Sequence, residues 1–230
     1  MASDDPLPLR VLCSGYEGPD TVELYALYPK SHGDVAEGAL NRLNGMPVGV
    51  TDERWPVDEE GRRYAHVCTL DLATMPALAA AEPGIRAAVL FVCDPARERG
   101  GDDLFFVHRW VMLREEEAAR GIVATRGLPA WGPEDREPAR PFRVEAHRVP
   151  RAVFQARQGE ERRITEIRLA LLRLHGRAGG GATHHQRDPW WPADPFFLQI
   201  DVRFGGISVD GPRDLYVDRT SMRAYPELEL

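Results

Sequence analysis

The sequence predicts an α+β protein that is rich in sheet and internally duplicated, with approximate pseudo-two-fold symmetry. Three observations support this prediction. Short runs of β-branched, aromatic and other apolar residues recur between turns rich in glycine and proline, as strands do. One amphipathic helical pattern stands in the second half. A glycine turn, a tryptophan–proline pair and an apolar strand follow one another twice along the 230 residues.

Six anchor positions carry the duplication, because they keep their order and almost their spacing in the two halves. The glycine, tryptophan and aspartate anchors recur after 135, 136 and 130 residues, so the second copy is shorter by about six residues before its strand. Two copies are too few for a solenoid, which leaves a duplicated globular unit. The predicted structural anchors are Gly45, Trp55, Asp71, Gly180, Trp191 and Asp201.

The first half, residues 1–126, is predicted to be mainly strand. Apolar runs of strand length indicate its strands, and a proline in a first turn indicates a short helix. In chain order we expect a frayed arm at 1–9, extended segments at 10–13 and 21–28, a helix at 35–43, strands at 64–72, 87–93 and 104–113, and short helices at 76–81 and 115–120. Within the strand at 64–72, His66 and Thr69 are expected on opposite faces.

A proline-rich linker at 127–141 precedes the second half, residues 142–230, and the two halves are expected to form one compact domain. A strand is predicted at 142–149. Residues 160–175 carry one apolar stripe at helical spacing, with arginine and glutamate on the opposite face, which predicts a helix. Gly176 stands where the C-terminal cap of that helix belongs.

Composition excludes several classes of function. The net charge is -7, whereas general nucleic-acid binding needs a positive footprint. The segment 136–177 carries a local charge of +6, interpreted as an arginine-rich solvated helix face, with contact to an acidic partner as the alternative. Three distant cysteines form no disulfide or metal motif, and no signal-peptide pattern or membrane-spanning apolar run occurs. We therefore expect a reduced, cytoplasmic protein that does not enter a membrane.

The motifs of the second half resemble those of a known family. The stretch 175–188 reads HGRAGGGATHHQRD, and FFLQIDV and DLYVD follow it. In the first half Asn-Gly-Met-Pro, Trp-Pro and Thr-Leu-Asp follow in the same order. Together these motifs resemble the YwqG-like family of bacterial domains of unknown function, over roughly residues 40–220. The resemblance implies a mixed, sheet-rich α+β fold with internal duplication, no established activity, cofactor or catalytic residue, and, from the toxin and immunity genes among which members often lie, a protein-neutralising role.

The loop from residue 183 to 190 contains the candidate contact residues. Glycines precede it and prolines stiffen its exit, so donors, acceptors and one large apolar side chain share a short exposed segment. The candidate ligand- or partner-contacting residues are His184, His185, Gln186, Asp188 and Trp190. Trp190 has no counterpart in the first copy, whereas Trp55 and Trp191 are expected to pack in the core. The competing interpretation is that the loop ties the two halves together.

Metal, catalytic and phosphate-binding interpretations of this loop have less support. Neighbouring histidines on a strand point to opposite faces, whereas helical metal sites use an i, i+4 pair, so no metal is predicted. An acid–base set of these histidines with Asp188 and Asp201 lacks an accompanying nucleophile or paired-carboxylate motif, so no catalytic residue is predicted. The glycines at 179–181 lack the residues that follow a Walker loop and are interpreted as a flexible turn.

The sequence thus favours a non-enzymatic factor that binds one protein partner in an immunity-like or regulatory role, with no cofactor. The alternative is a small-molecule binder, or an enzyme, that uses the loop from His184 to Asp188. An exposed patch around Trp190 is expected for the first, and a closed polar cleft for the second.

Overall fold

The computed structural model describes nine parts of the chain. They are residues 9–30, 39–93, 107–125, 139–155, 161–181, 183, 196–201, 212–219 and 222–226. For Cys93 and for strand residues 212–215 and 222–226, the description covers the backbone alone. The arm at 1–8, most of the predicted linker and the candidate loop from residue 184 onwards lie outside the described residues.

Ten strands form one antiparallel sheet in the described part of the chain. In chain order they are β1 Thr21–Pro29, β2 Arg42–Leu43, β3 Ala65–Asp71, β4 Ala87–Cys93, β5 Val107–Leu113, β6 Arg140–Pro150, β7 Gly176–Gly179, β8 Leu198–Asp201, β9 Pro212–Val217 and β10 Met222–Pro226. Across the sheet the order is β10-β9-β8-β7-β1-β6-β2-β3-β4-β5. The predicted α+β, sheet-rich class is therefore confirmed.

The two halves of the chain interlock at the centre of this sheet. β1 pairs along its whole length with β6, from Thr21 opposite Pro150 to Pro29 opposite Phe142. The meander β2–β5 of the first half attaches to β6, and the meander β7–β10 of the second half attaches to β1. Each half thus gives its first strand to the other half's side of the sheet. Neither half has a separate sheet of its own.

Within the described ranges, four short helices accompany the sheet. They are α1 Leu9–Leu12, α2 Pro76–Ala81, α3 Glu115–Ala118 and α4 Arg162–Leu172, with 3-10 helices at Leu72–Thr74 and Arg151–Phe154. α4 buries Ile164, Ile167 and Leu171, the apolar stripe that the sequence predicts. None of the helices in the described ranges has the length and apolarity that crossing a membrane requires.

The sheet is curled, so its inner face encloses one core built from both halves. Tyr25 of β1, Leu70 of β3, Phe142 of β6 and Ile200 of β8 are all buried in this single cluster. The two sides of the sheet are also in contact across this core, because His108 Nε2 on β5 lies 2.8 Å from the carbonyl oxygen of Asp218, just after β9. Long-range packing of this kind joins strands that are distant in sequence.

Two further clusters cover the outer face. Trp55, Val89, Phe91 and Val111 belong to the cluster behind β4 and β5. The cluster behind β1 and β6 is made largely by α1, α4 and the second 3-10 helix. Most strands are therefore buried on both faces, which explains why β4 is apolar throughout.

Three sequence-based assignments are wrong. The extended segment expected at 10–13 is wrong, because residues 9–12 form α1, whose Leu9 and Leu12 lie three residues apart and pack with α4 in the outer cluster. α4 ends at Leu172 with Arg173 as its cap, whereas Gly176 begins β7 opposite Ile200. Of the helix expected at 35–43, the last two residues are β2. The segments predicted for β1, β3, β4, β5, β6, α2 and α3 agree with the structure within a few residues.

The predicted alternation of β3 is interrupted by an irregularity in its pairing with β4. The register shifts between His66 and Cys68, so one residue is inserted into the strand. As a result His66 does not face away from Thr69. The ring Nε2 of His66 lies 2.9 Å from Thr69 Oγ1.

Candidate functional site

The five candidate contact residues and Trp191 lie outside the described residues, which include the two ends of their loop. Thr183 is fully buried at the entry, and Phe196 is 2% exposed at the exit. Phe196 packs edge-on against Trp110, with ring centroids 6.3 Å apart, and under the guanidinium of Arg219. The loop therefore leaves from and returns to well-packed positions.

Arg177 organises the entry of the loop from inside the protein. Its side chain is completely buried and lies between the rings of Phe154 and Phe197, at 5.5 and 5.6 Å from their centroids. Its Nη2 donates to Thr183 Oγ1 at 3.2 Å and to Gln199 Oε1.

The backbone around Thr183 is held from two directions. Arg177 Nη2 also donates to the carbonyl oxygen of Gly181 at 2.6 Å. Tyr216 on β9 donates its hydroxyl to the carbonyl oxygen of Thr183 at 2.7 Å. The glycine turn is thus held by side chains from β7 and β9, and is more constrained than the flexible turn that the sequence predicts.

A second buried arginine occupies the corresponding place in the first half. Arg42 is 2% exposed, and burial lowers its pKa below the ordinary value. Its Nη1 donates to the carbonyl oxygen of Met46 at 3.1 Å, and its Nε donates to that of Ala39 at 2.7 Å. Asn44 and Gly45, which lie in the chain between Arg42 and Met46, have positive φ values of 53° and 65°.

The two arginines share four features. They lie 135 residues apart, the same spacing as the glycine anchors. Each donates to the carbonyl four residues further on, at Met46 and at Gly181, and each precedes two residues of positive φ. Each also pairs across the sheet with an anchor strand, Arg42 with Thr69 and Arg177 with Gln199. Neither arginine is among the residues predicted from the sequence, although their spacing of 135 residues carried the signal.

His66 stabilises the turn at Asn44 and Gly45, and it does so as a neutral imidazole. Its Nδ1 lies 3.1 Å from the carbonyl oxygen of Asn44 and 2.9 Å from that of Gly45, and carbonyls only accept, so Nδ1 carries the proton. Nε2 then accepts from the Thr69 hydroxyl. Burial, reinforced by the nearby positive charge of Arg42, lowers the pKa of His66 to about 4.

The aspartate anchors end their strands. Asp71 closes β3 and accepts a hydrogen bond from the amide of Ala73 at 3.0 Å, capping the 3-10 helix, and it also pairs with Arg86. Asp201 closes β8, is 5% exposed, and has Oδ2 3.8 Å from Nδ1 of His175. The histidine that the described residues place near Asp201 is therefore His175, which is not one of the histidines considered for an acid–base set.

Trp55 is a core residue, as expected. It is 3% exposed, and its Nε1 donates to the carbonyl oxygen of Tyr64 at 2.8 Å. The guanidinium of Arg63 lies 4.6 Å above its ring, and Phe91 packs on it with centroids 5.3 Å apart. Its indole is consumed by the fold and presents no contact surface.

Two arginines of the basic segment on α4 donate hydrogen bonds to backbone carbonyls elsewhere in the protein. Arg163 Nε donates to the carbonyl oxygen of Leu12 at 3.0 Å, close to the C-terminal end of α1. Arg168 Nε donates to the carbonyl oxygen of Val153 at 2.9 Å, within the second 3-10 helix. Arg162, in contrast, is exposed and pairs with Glu166 on its own helix.

The described cysteines are structural. Cys13 and Cys68 are free and buried, and burial raises their pKa values to about 11 and about 12, so both are thiols at neutral pH. Within the described ranges, no three His, Cys, Asp or Glu side chains are grouped as metal ligands.

Neither a scan of the sequence against protein-family models nor a search of the curated proteins gives a match.

Proposed function

We propose that this chain is a non-enzymatic, cytoplasmic factor that binds one protein partner, in an immunity-like or regulatory role. The contact surface would be the loop carrying His184, His185, Gln186, Asp188 and Trp190, and it would require no cofactor or metal. The observation that carries the proposal is the anchoring of both ends of this loop in the core. The proposed YwqG-like membership rests on the sequence motifs.

Anchored ends matter because a binding loop gains affinity when its ordering is supplied by the scaffold. Side chains that are fixed before binding lose less conformational freedom in the complex. Thr183 is held by Arg177 and Tyr216, and Phe196 is held by Trp110 and Arg219. Rigid supports under a polar loop with one large aromatic side chain are typical of recognition sites.

The state of the buried polar groups favours binding over catalysis in the described part of the chain. His66 has both ring nitrogens engaged and a pKa far below neutrality, so it is a poor proton carrier at pH 7. Arg42 and Arg177 are directed at backbone carbonyls of their own turns. These groups stabilise the turns.

We further propose that the protein arose by duplication of a five-strand unit whose first strand is exchanged between copies. If β1–β5 are exchanged with β6–β10 in order, the strand order of the sheet reads the same from the other edge. The matching turns of Arg42 and Arg177 add independent support. In this exchange β1 corresponds to β6, and the pairing of β1 with β7 and of β6 with β2 matches Tyr28 to Arg143. These two residues also pair with each other, which would put the pseudo-two-fold axis between them. An experimental structure in which the two units fail to superpose would contradict the duplication.

The functional proposal is tested with the full chain as bait in native lysate, followed by measurement of affinity for the captured partner. Replacing Trp190→Ala and His184→Ala together should weaken binding by more than about 2 kcal/mol, the scale of an interface hot spot. The melting temperature should hardly change, because an exposed loop contributes little to stability. A control pair, Arg162→Ala with Leu169→Ala on the exposed face of α4, should leave affinity unchanged.

Three outcomes would contradict the proposal. A large fall in melting temperature with intact affinity would make the loop a structural tie between the halves. Retained binding together with loss of a small-molecule turnover activity would favour the enzymatic alternative. Equal effects of the loop pair and of the α4 control pair would mean that neither surface is specific.

A further inference from the structure

β5 is one of the two outermost strands of the sheet and is a candidate for pairing with a further strand. It has seven residues, and in the described residues only β4 pairs with it. An edge strand presents unpaired amide and carbonyl groups, which template the addition of another chain. The edge strand of a soluble protein is normally protected from such pairing.

The direction of the backbone groups identifies which residues of β5 face the open edge. The carbonyl oxygen of Leu113 accepts from the amide of Arg86 at 2.7 Å, at the start of β4, so Leu113 points towards β4. Backbone groups of successive residues alternate in direction along an antiparallel strand. His108, Trp110 and Met112 therefore point their amides and carbonyls towards the open edge.

Two of these three carbonyls are already covered by guanidinium groups. Arg54 Nη2 donates to the carbonyl oxygen of Met112 at 2.9 Å. Arg109 Nη1 donates to the carbonyl oxygen of His108 at 3.1 Å. Both covers agree with the direction deduced from Leu113, since a carbonyl engaged with β4 would not be open to them.

Arg54 is held in this position by a fixed carboxylate. Its Nη1 pairs with Glu117 Oε1. The other oxygen of Glu117 accepts from the amide of Arg114 at 2.8 Å, at the N-terminus of α3. Because Glu117 is fixed by the helix it caps, the guanidinium of Arg54 remains over the strand edge.

We propose that Arg54 and Arg109 form a shield that prevents the β5 edge from pairing with the β5 edge of a second copy of this chain. An antiparallel edge is self-complementary under a two-fold axis, so a second copy is the partner that the bare edge fits best. A strand that added here would have to displace both guanidiniums from their carbonyl acceptors, and displacing Arg54 would also break its ion pair with Glu117. The shield thus opposes pairing by occupying the acceptors that a new strand would need.

The test uses the full chain with Arg54→Met and Arg109→Met together, which removes both guanidiniums but keeps long apolar stems. Analytical ultracentrifugation should show self-association that rises by about tenfold or more relative to the parent chain, towards twice the mass of 25.8 kDa. Amide hydrogen exchange at His108, Trp110 and Met112 should slow in the associated species. The control, Arg148→Met with Arg173→Met, removes two exposed arginines elsewhere and has the same composition.

Each result decides the proposal. A double variant that stays monomeric at the concentrations where it is folded would overturn it, as would association without slower exchange in β5, or equal association by the control pair. If the methionine pair does not fold, as judged by circular dichroism, the Arg54→Ala and Arg109→Ala pair is measured by the same criteria. The shield is independent of the proposed loop function, so loss of partner binding leaves it standing.

Discussion

Acid destabilisation through His66 is the sharpest consequence of the buried turn in the first half. The ring lies 5% exposed between Asn44, Gly45 and Thr69, where one nitrogen must donate and the other must accept. A second proton would place a positive charge in a buried site near Arg42 and break the bond from the Thr69 hydroxyl. Protonation therefore favours the unfolded chain.

The magnitude follows from the two pKa values. The folded-state pKa is about 4 and the ordinary value is 6.5. Because the folded-state pKa is lowered, the stabilisation is complete above pH 6.5 and is lost as the pH falls towards 4. At about 1.36 kcal/mol per pKa unit, the full loss is about 3 kcal/mol, of which about 1 kcal/mol is lost by pH 5.5 and most by pH 4.5.

The measurement compares the parent chain with His66→Gln by urea denaturation from pH 7.5 to pH 4.5. Glutamine spans a similar space and retains a donor for the turn, but it does not titrate. The unfolding free energy of the parent should exceed that of the variant at pH 7.5, and this difference should shrink by about 2 to 3 kcal/mol at pH 4.5. His108 and His147, whose pKa values burial also lowers, are present in both proteins and cancel.

A difference that stays constant over this pH range would refute the reasoning, since it would mean that His66 titrates alike in the folded and unfolded chains. A difference that grows in acid would reverse the sign and imply an anionic partner for the ring. A variant unfolded already at pH 7.5 would be replaced by His66→Asn, with the same pH comparison.

Two further predictions concern the geometry that the turns beside Arg42 and Arg177 share. At Gly45 a Cβ would lie 2.6 Å from Ala139 Cβ, so Gly45→Ala should lower the unfolding free energy by about 2–5 kcal/mol. The matched Gly61→Ala, also at positive φ but with nothing within 4 Å, should lower it by only about 1–2 kcal/mol, and equal losses would argue against the close contact. Arg177→Met should lower it by about 3 kcal/mol, whereas the exposed Arg162→Met should change it by less than about 0.5 kcal/mol. Urea denaturation measures all four, and a silent Arg177→Met would show that the buried guanidinium is not a structural centre.

Local patterns were sufficient for most of the secondary structure. The continuous apolar run 87–93 is β4, and the alternating run 142–149 lies within β6. Both were predictable because the pattern of apolar residues along a strand reflects which of its two faces are buried. Pro76 began a helix as expected, since its fixed φ suits a first turn. Trp55 was correctly assigned to the core.

The same local reasoning did not reach the candidate site. Charged side chains are normally exposed, so Arg42 and Arg177 gave no warning that they are buried. Their burial is possible because strands distant in sequence supply oxygen acceptors and aromatic faces around them. The orientation of His66 likewise depends on the irregular pairing of β3 with β4.

The sequence alone determined the sheet-rich α+β class, the positions of most strands along the chain and the amphipathic stripe of α4, since these depend on near neighbours in the chain. The spacing of the anchors is likewise read directly from the sequence. The tertiary structure decided that β1 and β6 lie side by side and that each meander joins the other half's first strand. Pairing between strands more than a hundred residues apart is set by the fit of whole surfaces. A pattern of period two specifies which face of a strand is buried, but it does not specify the neighbour against which the strand is placed.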